Sequence, residues 1–174
     1  MDFLKAVTDR IPDYAKDIRL NVGSVLGRSS LEPEAALGVA LAAAYAAKCR
    51  PIVDAIRGSG QISEAEQNGA LSASALMGMN NVWYPYVEMA DDPDLKTQRA
   101  ELRMTAYATH GGIDRQRFEL YSLAASIIGK CHFCVGSHYK LLKEHGMTAL
   151  QLRDAGRIAA VVGAAAVVLA MEAA

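Results

Sequence analysis

The chain has 174 residues, 52% of them hydrophobic, a formal net charge of −1 and three cysteines. That length suits one buried core, so residues 1–174 are read as a single domain. Scattered basic residues and near-zero charge exclude an electrostatic case for nucleic acid or an acidic membrane surface, and an odd, small cysteine count argues against a secreted disulfide framework.

The opening Met1-Asp2-Phe3-Leu4-Lys5 lacks the basic-then-apolar order of a signal peptide, and a reducing cytoplasm is the expected setting. Alanine and leucine are abundant and no stretch alternates with period two, which predicts an all-α fold. A short helix is expected over residues 2–10, ahead of Pro12, and a second over 14–26. Pro33 suits the first turn of a third, continuing through the alanine-rich 37–48. A short segment over 51–57 ends at Gly58 and Gly60. Ser63-Glu64-Ala65-Glu66 reads as a capping box opening a helix to about Met79. Two prolines and Asp91-Asp92-Pro93-Asp94 suggest turns over 80–94. Residues 95–109 then read as helix, stopped by Gly111-Gly112, with His110 as a helix-end residue.

Asp114 can cap a helix to about Ile128, ended by Gly129. The next helix begins near Cys131 and runs to Gly146, with His145 at its end. Thr148-Ala149-Leu150-Gln151 is a second capping box. Residues 158–171 are continuously apolar but shorter than the roughly 20 residues of a membrane span, so a helix buried in a core or between protomers is expected. A faint internal echo appears at a shift of 51. Residues 73–78 lie over 124–129, Asn68 over Glu119, and Asn80, Trp83 and Val87 over Cys131, Cys134 and His138.

Cys131-His132-Phe133-Cys134 carries the chemistry. Cys131, Cys134 and His138 fall at i, i+3 and i+7, one stripe of a helix. A helix N-terminus favours the thiolate, which is the reactive form of cysteine. His138 can take the proton of Cys134, and Glu119 can hold the imidazole and relay the proton. Other readings stand beside this one: two buried cysteines acting as small hydrophobes, or a zinc site of Cys131, Cys134, His138 and a fourth ligand. A thioredoxin fold would need strands in a βαβ pattern around the motif, and none is read. Cys49 is expected to be a buried or idle thiol; His132 could tune a thiol or face solvent. Met77, Met79 and Trp83 are expected in the core.

At Glu119-x₁₁-Cys131-x₂-Cys134-x₃-His138 the chain resembles the alkyl hydroperoxidase D (AhpD) proteins of the carboxymuconolactone decarboxylase-like superfamily. Residues 12–18, 75–82 and Phe118-Glu119-Leu120 extend the resemblance over nearly the whole chain. The resemblance implies a single-domain helical fold with two related halves, usually an oligomer and often a homotrimer. It implies an antioxidant enzyme with weak peroxidase activity. Such an enzyme binds no cofactor or metal and reduces a partner peroxiredoxin, the alkyl hydroperoxide reductase AhpC. Its electrons come from the lipoyl group of an acyltransferase. It further implies a redox disulfide between Cys131 and Cys134. Cys134 would form the sulfenic acid, Cys131 would act as resolving thiol and proton donor, and Glu119 and His138 would form the relay. Some members carry histidine where this chain has Phe133, so no role passes to His132. The competing functions are a decarboxylase-type enzyme of the wider superfamily, which would not need the full Glu, Cys, Cys, His set, and a zinc-stabilised helical module.

Overall fold

Caps and breakers divide the chain into helices. The computed structural model describes residues 2–110 and 112–172, without the side chains of residues 109 and 110, so the helix-end role expected of His110 lies outside the described residues. A 3₁₀ turn (Asp2–Leu4) leads into α1 (Lys5–Thr8), and another (Asp13–Ala15) into α2 (Lys16–Gly27). There follow α3 (Pro33–Ala46), α4 (Arg50–Arg57), α5 (Glu64–Ala90), α6 (Pro93–Thr97), α7 (Ala106–His110), α8 (Arg115–Gly129), α9 (His132–Glu144) and α10 (Ala149–Met171). No strand occurs among the described residues; the expected all-α fold is the one adopted.

Three expectations need correction. The helix opened by Ser63 does not stop near Met79 but runs to Ala90, where Asp91 turns the chain with φ 50°. Pro85 lies within it; a proline has no N–H to offer the carbonyl four residues earlier, and the 27-residue helix continues past that single lost bond. The segment 95–109 is not one helix: α6 ends at Thr97, residues 98–105 are non-helical, and α7 begins at Ala106. The box at Ser63 is only half made. Its hydroxyl accepts from Glu66 N at 3.4 Å, but its own N–H donates to Glu34 Oε1 at 2.7 Å. Glu66 turns inward instead, to the hydroxyl of Tyr121. The box at Thr148 and Gln151 is complete.

Small side chains set the packing. Along α3, Val39, Ala40, Leu41, Ala42, Ala43 and Ala44 have no solvent exposure, and the helix lies among α5, α8 and α10. Alanine lets helix axes approach closely, because little side chain stands between them. Gly38 continues that logic: a Cβ there would strike the ring of buried Tyr121 on α8. Tyr121 in turn donates to Glu66, and Arg117 reaches both Glu66 at 3.8 Å and Glu32 at 2.8 Å. Burial and the adjacent Glu66 carboxylate hold the Tyr121 phenol protonated, far above its ordinary range.

Among the described residues α10 is long and apolar enough to cross a membrane by length and composition. Here it packs on α2, α3 and α8, burying Ile158, Ala159, Val162, Ala165 and Leu169, while Val167 stays 66% exposed. The apolar run is thus half core and half surface. The segments of the internal echo lie side by side, α5 against both α8 and α9. α5 runs unbroken through the positions where the chain breaks between α8 and α9, and that break is what makes the site.

Candidate functional site

Sequence puts the helix stop at Gly129, but the residue that turns the chain is Lys130, at φ 54° in the left-handed region. Its N–H bonds to Ile127 O at 3.1 Å and that of Cys131 to Ser126 O at 3.3 Å, which satisfies the last carbonyls of α8. Gly129 is glycine for a different reason: a Cβ would meet the side chain of Asn81 on α5, whose Nδ2 donates to Ala125 O at 3.1 Å. The break therefore presses α8 against α5 and delivers Cys131 to the N-cap of α9.

At that N-cap the sulfur of Cys131 accepts the Cys134 N–H at 3.1 Å, taking the place a serine hydroxyl or aspartate usually holds. Cys131 and Cys134 are joined as a disulfide, with Cα atoms 5.3 Å apart. Both are buried, at 0% and 3% exposure, and Sγ of Cys134 lies 3.8 Å from the carbonyl of Asn80 on α5. The thiols that spacing alone leaves as redox, metal or core residues are thus in covalent contact at a helix start.

One turn beyond Cys134 on α9, His138 Nδ1 lies 2.7 Å from Glu119 Oε2, the two side chains nearly buried. Burial pushes the Glu119 carboxyl upward, but the hydrogen bond and charge of His138, with Arg115 at 3.6 Å, outweigh it and leave its pKa below the ordinary glutamate value. An ionised Glu119 accepts from Nδ1–H, so Nε2 carries the lone pair when the ring is neutral. Nε2 faces Met77 Sδ at 3.3 Å. Met77, expected only as core, is buried at 2% exposure and also supplies the weakly polar wall against which the imidazole sits.

The remaining candidates fall elsewhere. His132 is exposed, and His145 ends α9, its carbonyl accepting from Gln116 at 2.9 Å. Cys49 is a buried free thiol far along the chain, its pKa pushed up by burial. No three His, Cys, Asp or Glu side chains group as metal ligands among the described residues. Sequence reasoning misses the α5 wall, Met77, Asn80 and Tyr84. The echo places Asn80 over Cys131, which is its only signal. Tyr84 stacks on Phe133 with ring centroids 4.5 Å apart.

Residues 93–174, which hold the entire Glu119–His138 motif, match the carboxymuconolactone decarboxylase family. The chain is 43% identical over 167 residues to the alkyl hydroperoxide reductase AhpD of Rhizorhabdus wittichii, covering 95% of this chain and 96% of that one. It is 43% identical over 173 residues to the AhpD of Rhodospirillum centenum, covering 98% and 92%. The AhpD of Hyphomonas neptunium is 42% identical over 173 residues, covering 98% and 96%. The chain belongs to the AhpD family. In this AhpD chain the Cys131–Cys134 bridge is closed, and the Glu119–His138 pair lies one turn along α9 from Cys134.

Proposed function

We propose that this AhpD chain is an alkyl hydroperoxide reductase of the thiol type, acting as one domain over residues 1–174. The observation that carries the reading is a closed disulfide at a helix N-cap, with an ordered Glu119–His138 pair one turn away. In the reduced form the Cys134 thiolate attacks the outer peroxide oxygen. The O–O bond breaks, the alkoxide takes the Cys131 proton and leaves as an alcohol, and Cys134 becomes a sulfenic acid. Cys131 then attacks that sulfur; hydroxide leaves, takes a proton from His138 and departs as water, and the disulfide closes. His138 exchanges protons at Nε2 while Glu119 holds Nδ1.

Two electrons and two protons reopen the bridge. In this reading they come from the dithiol of a lipoyl group on an acyltransferase, and the reduced enzyme passes them to a peroxiredoxin of the AhpC type. The donor thiolate attacks Cys134, and Cys131 leaves. Its sulfur already accepts the Cys134 N–H at a helix start, and a leaving thiolate stabilised in that way departs faster. No bound cofactor is needed. We place the enzyme in the cytoplasm as a homotrimer; exposed Val82, Tyr86 and Met89, at i, i+4 and i+7 on α5, form an apolar face that an assembly can cover.

The test is turnover of an organic hydroperoxide with a reduced lipoyl donor, with and without a peroxiredoxin of the AhpC type. Cys134→Ser and Cys131→Ser should each lose at least about a hundredfold in rate, since either removes the disulfide step. Full activity in Cys134→Ser would sink the proposal.

A further inference from the structure

Three residues of α5 cover the reactive stripe of α9. Met77, Asn80 and Tyr84 fall at i, i+3 and i+7, on one face of their helix. They meet His138, Cys134 and Phe133 in turn. Met77 Sδ lies 3.3 Å from His138 Nε2, the Asn80 carbonyl lies 3.8 Å from Cys134 Sγ, and the Tyr84 ring stacks on Phe133. Only the first of these contacts touches an atom through which a proton is moved in the function proposed above. Glu119 occupies Nδ1, so Nε2 is the exchanging nitrogen, and it rests on a buried thioether.

We propose that Met77 is a positioning residue for the proton exchange between His138 and Cys134, its sulfur serving as a weak acceptor for the Nε2–H of the imidazolium. The proposal rests on the thiol reading above and adds to it a residue that acts only through His138. The nature of the wall matters because it faces both protonation states of the ring. An oxygen acceptor there would hold the Nε2–H firmly, and an N–H donor would bind the lone pair of the neutral ring, so each would fix one state. A hydrocarbon would support neither. A thioether is a weak acceptor, which supports the charged ring a little and leaves its proton free to move. The charged groups on the other side of the ring are on α8: Glu119 at 2.7 Å, with Arg115 3.6 Å behind it. On α9 itself the titratable neighbour is Cys134, one turn away. When Cys134 gives its proton to Nε2, the sulfur keeps the electron pair as thiolate, and a better-supported imidazolium makes that transfer possible at lower pH.

Iodoacetamide alkylation of the reduced protein across pH reads the effect. Met77→Leu nearly keeps the volume and removes the acceptor, so its midpoint should rise by about 0.5 pH unit, or about threefold slower alkylation at a fixed pH below the midpoint. Met77→Gln supplies a strong acceptor and should move the midpoint down by at least as much. Protein made with selenomethionine, an equally weak acceptor, should keep the wild-type profile. Packing alone would move the leucine and glutamine variants the same way, or neither, and either result overturns the inference. If the glutamine variant does not fold, the leucine variant still decides, because a profile coincident with the wild type overturns the inference. In a His138→Phe background the Met77→Leu shift should vanish, and a shift that persists there overturns it as well. Profiles that move as expected in a protein with no peroxide turnover would overturn the peroxidase reading and leave this one standing.

Discussion

Residue by residue, the site depends on which atom of His138 faces what. Glu119 occupies Nδ1 at 2.7 Å, and its depressed pKa keeps it an anion through neutral pH. Replacing it by glutamine removes the charge while keeping an acceptor, so the ring stays placed but is less able to hold a proton. Glu119→Gln should therefore move the pH profile of iodoacetamide alkylation of the reduced protein upward, by up to about one pH unit. His138→Phe should move it in the same direction and further. Superimposable profiles for wild type and both variants would remove the pair from thiol activation. The four residues of this constellation are legible from spacing, because i, i+3 and i+7 share a helix face whatever surrounds them. Met77 and Asn80 are not: they come from α5, and no local pattern says which distant helix will cover a stripe.

At the level of elements, the α8–α9 break is the feature that separates the two halves of the internal echo. Lys130 holds a left-handed conformation that costs a non-glycine residue about 1 kcal/mol. Lys130→Gly should therefore raise stability by roughly 0.5–1 kcal/mol with the disulfide intact. Gly129→Ala should act in the opposite sense, lowering it by about 1–3 kcal/mol as its methyl displaces Asn81. Urea unfolding of the two variants checks both, and a reversed order would show that the glycine, not the lysine, carries the turn. Sequence places the stop within one residue but for the wrong reason. Glycine is read as conformational freedom when its neighbour is unseen, and here it serves close approach. The same blindness to partners explains α5. Pro85, Pro93 and the Asp91–Asp94 cluster favour turns over 80–94, but α5 is anchored on α3, α8 and α9 through its buried residues up to Asn80 and continues past them as a part-exposed extension to Ala90.

For the molecule as a whole, one carboxylate joins the first third of the chain to the last helix. Asp154 on α10, 2% exposed, accepts the Ser30 N–H and hydroxyl, each at 2.8 Å, and pairs with Arg153 and Arg157. Burial raises its pKa, but the Ser30 donors and both guanidinium groups outweigh that, and the group stays ionised well below its ordinary value of 3.8. A depressed carboxylate stabilises the fold fully above its unfolded pKa, and that contribution is lost as pH falls through the folded one. The wild-type protein should therefore begin losing this contribution below about pH 4, and go on losing it into strong acid. Asp154→Asn should be less stable at pH 7 by about 2 kcal/mol, because the Ser30 donors lose a charged acceptor while the partly exposed arginines return to water. The gap in melting temperature between the two should narrow steadily from pH 4 toward pH 2. Other carboxylates with depressed pKa values, Glu119 and Glu34 among them, are common to both proteins and cancel in the difference. Circular dichroism melts of the pair across that range decide the matter. A gap that holds constant with pH would mean that Asp154 fastens α10 by shape and hydrogen bonding alone, with its charge contributing nothing to the join.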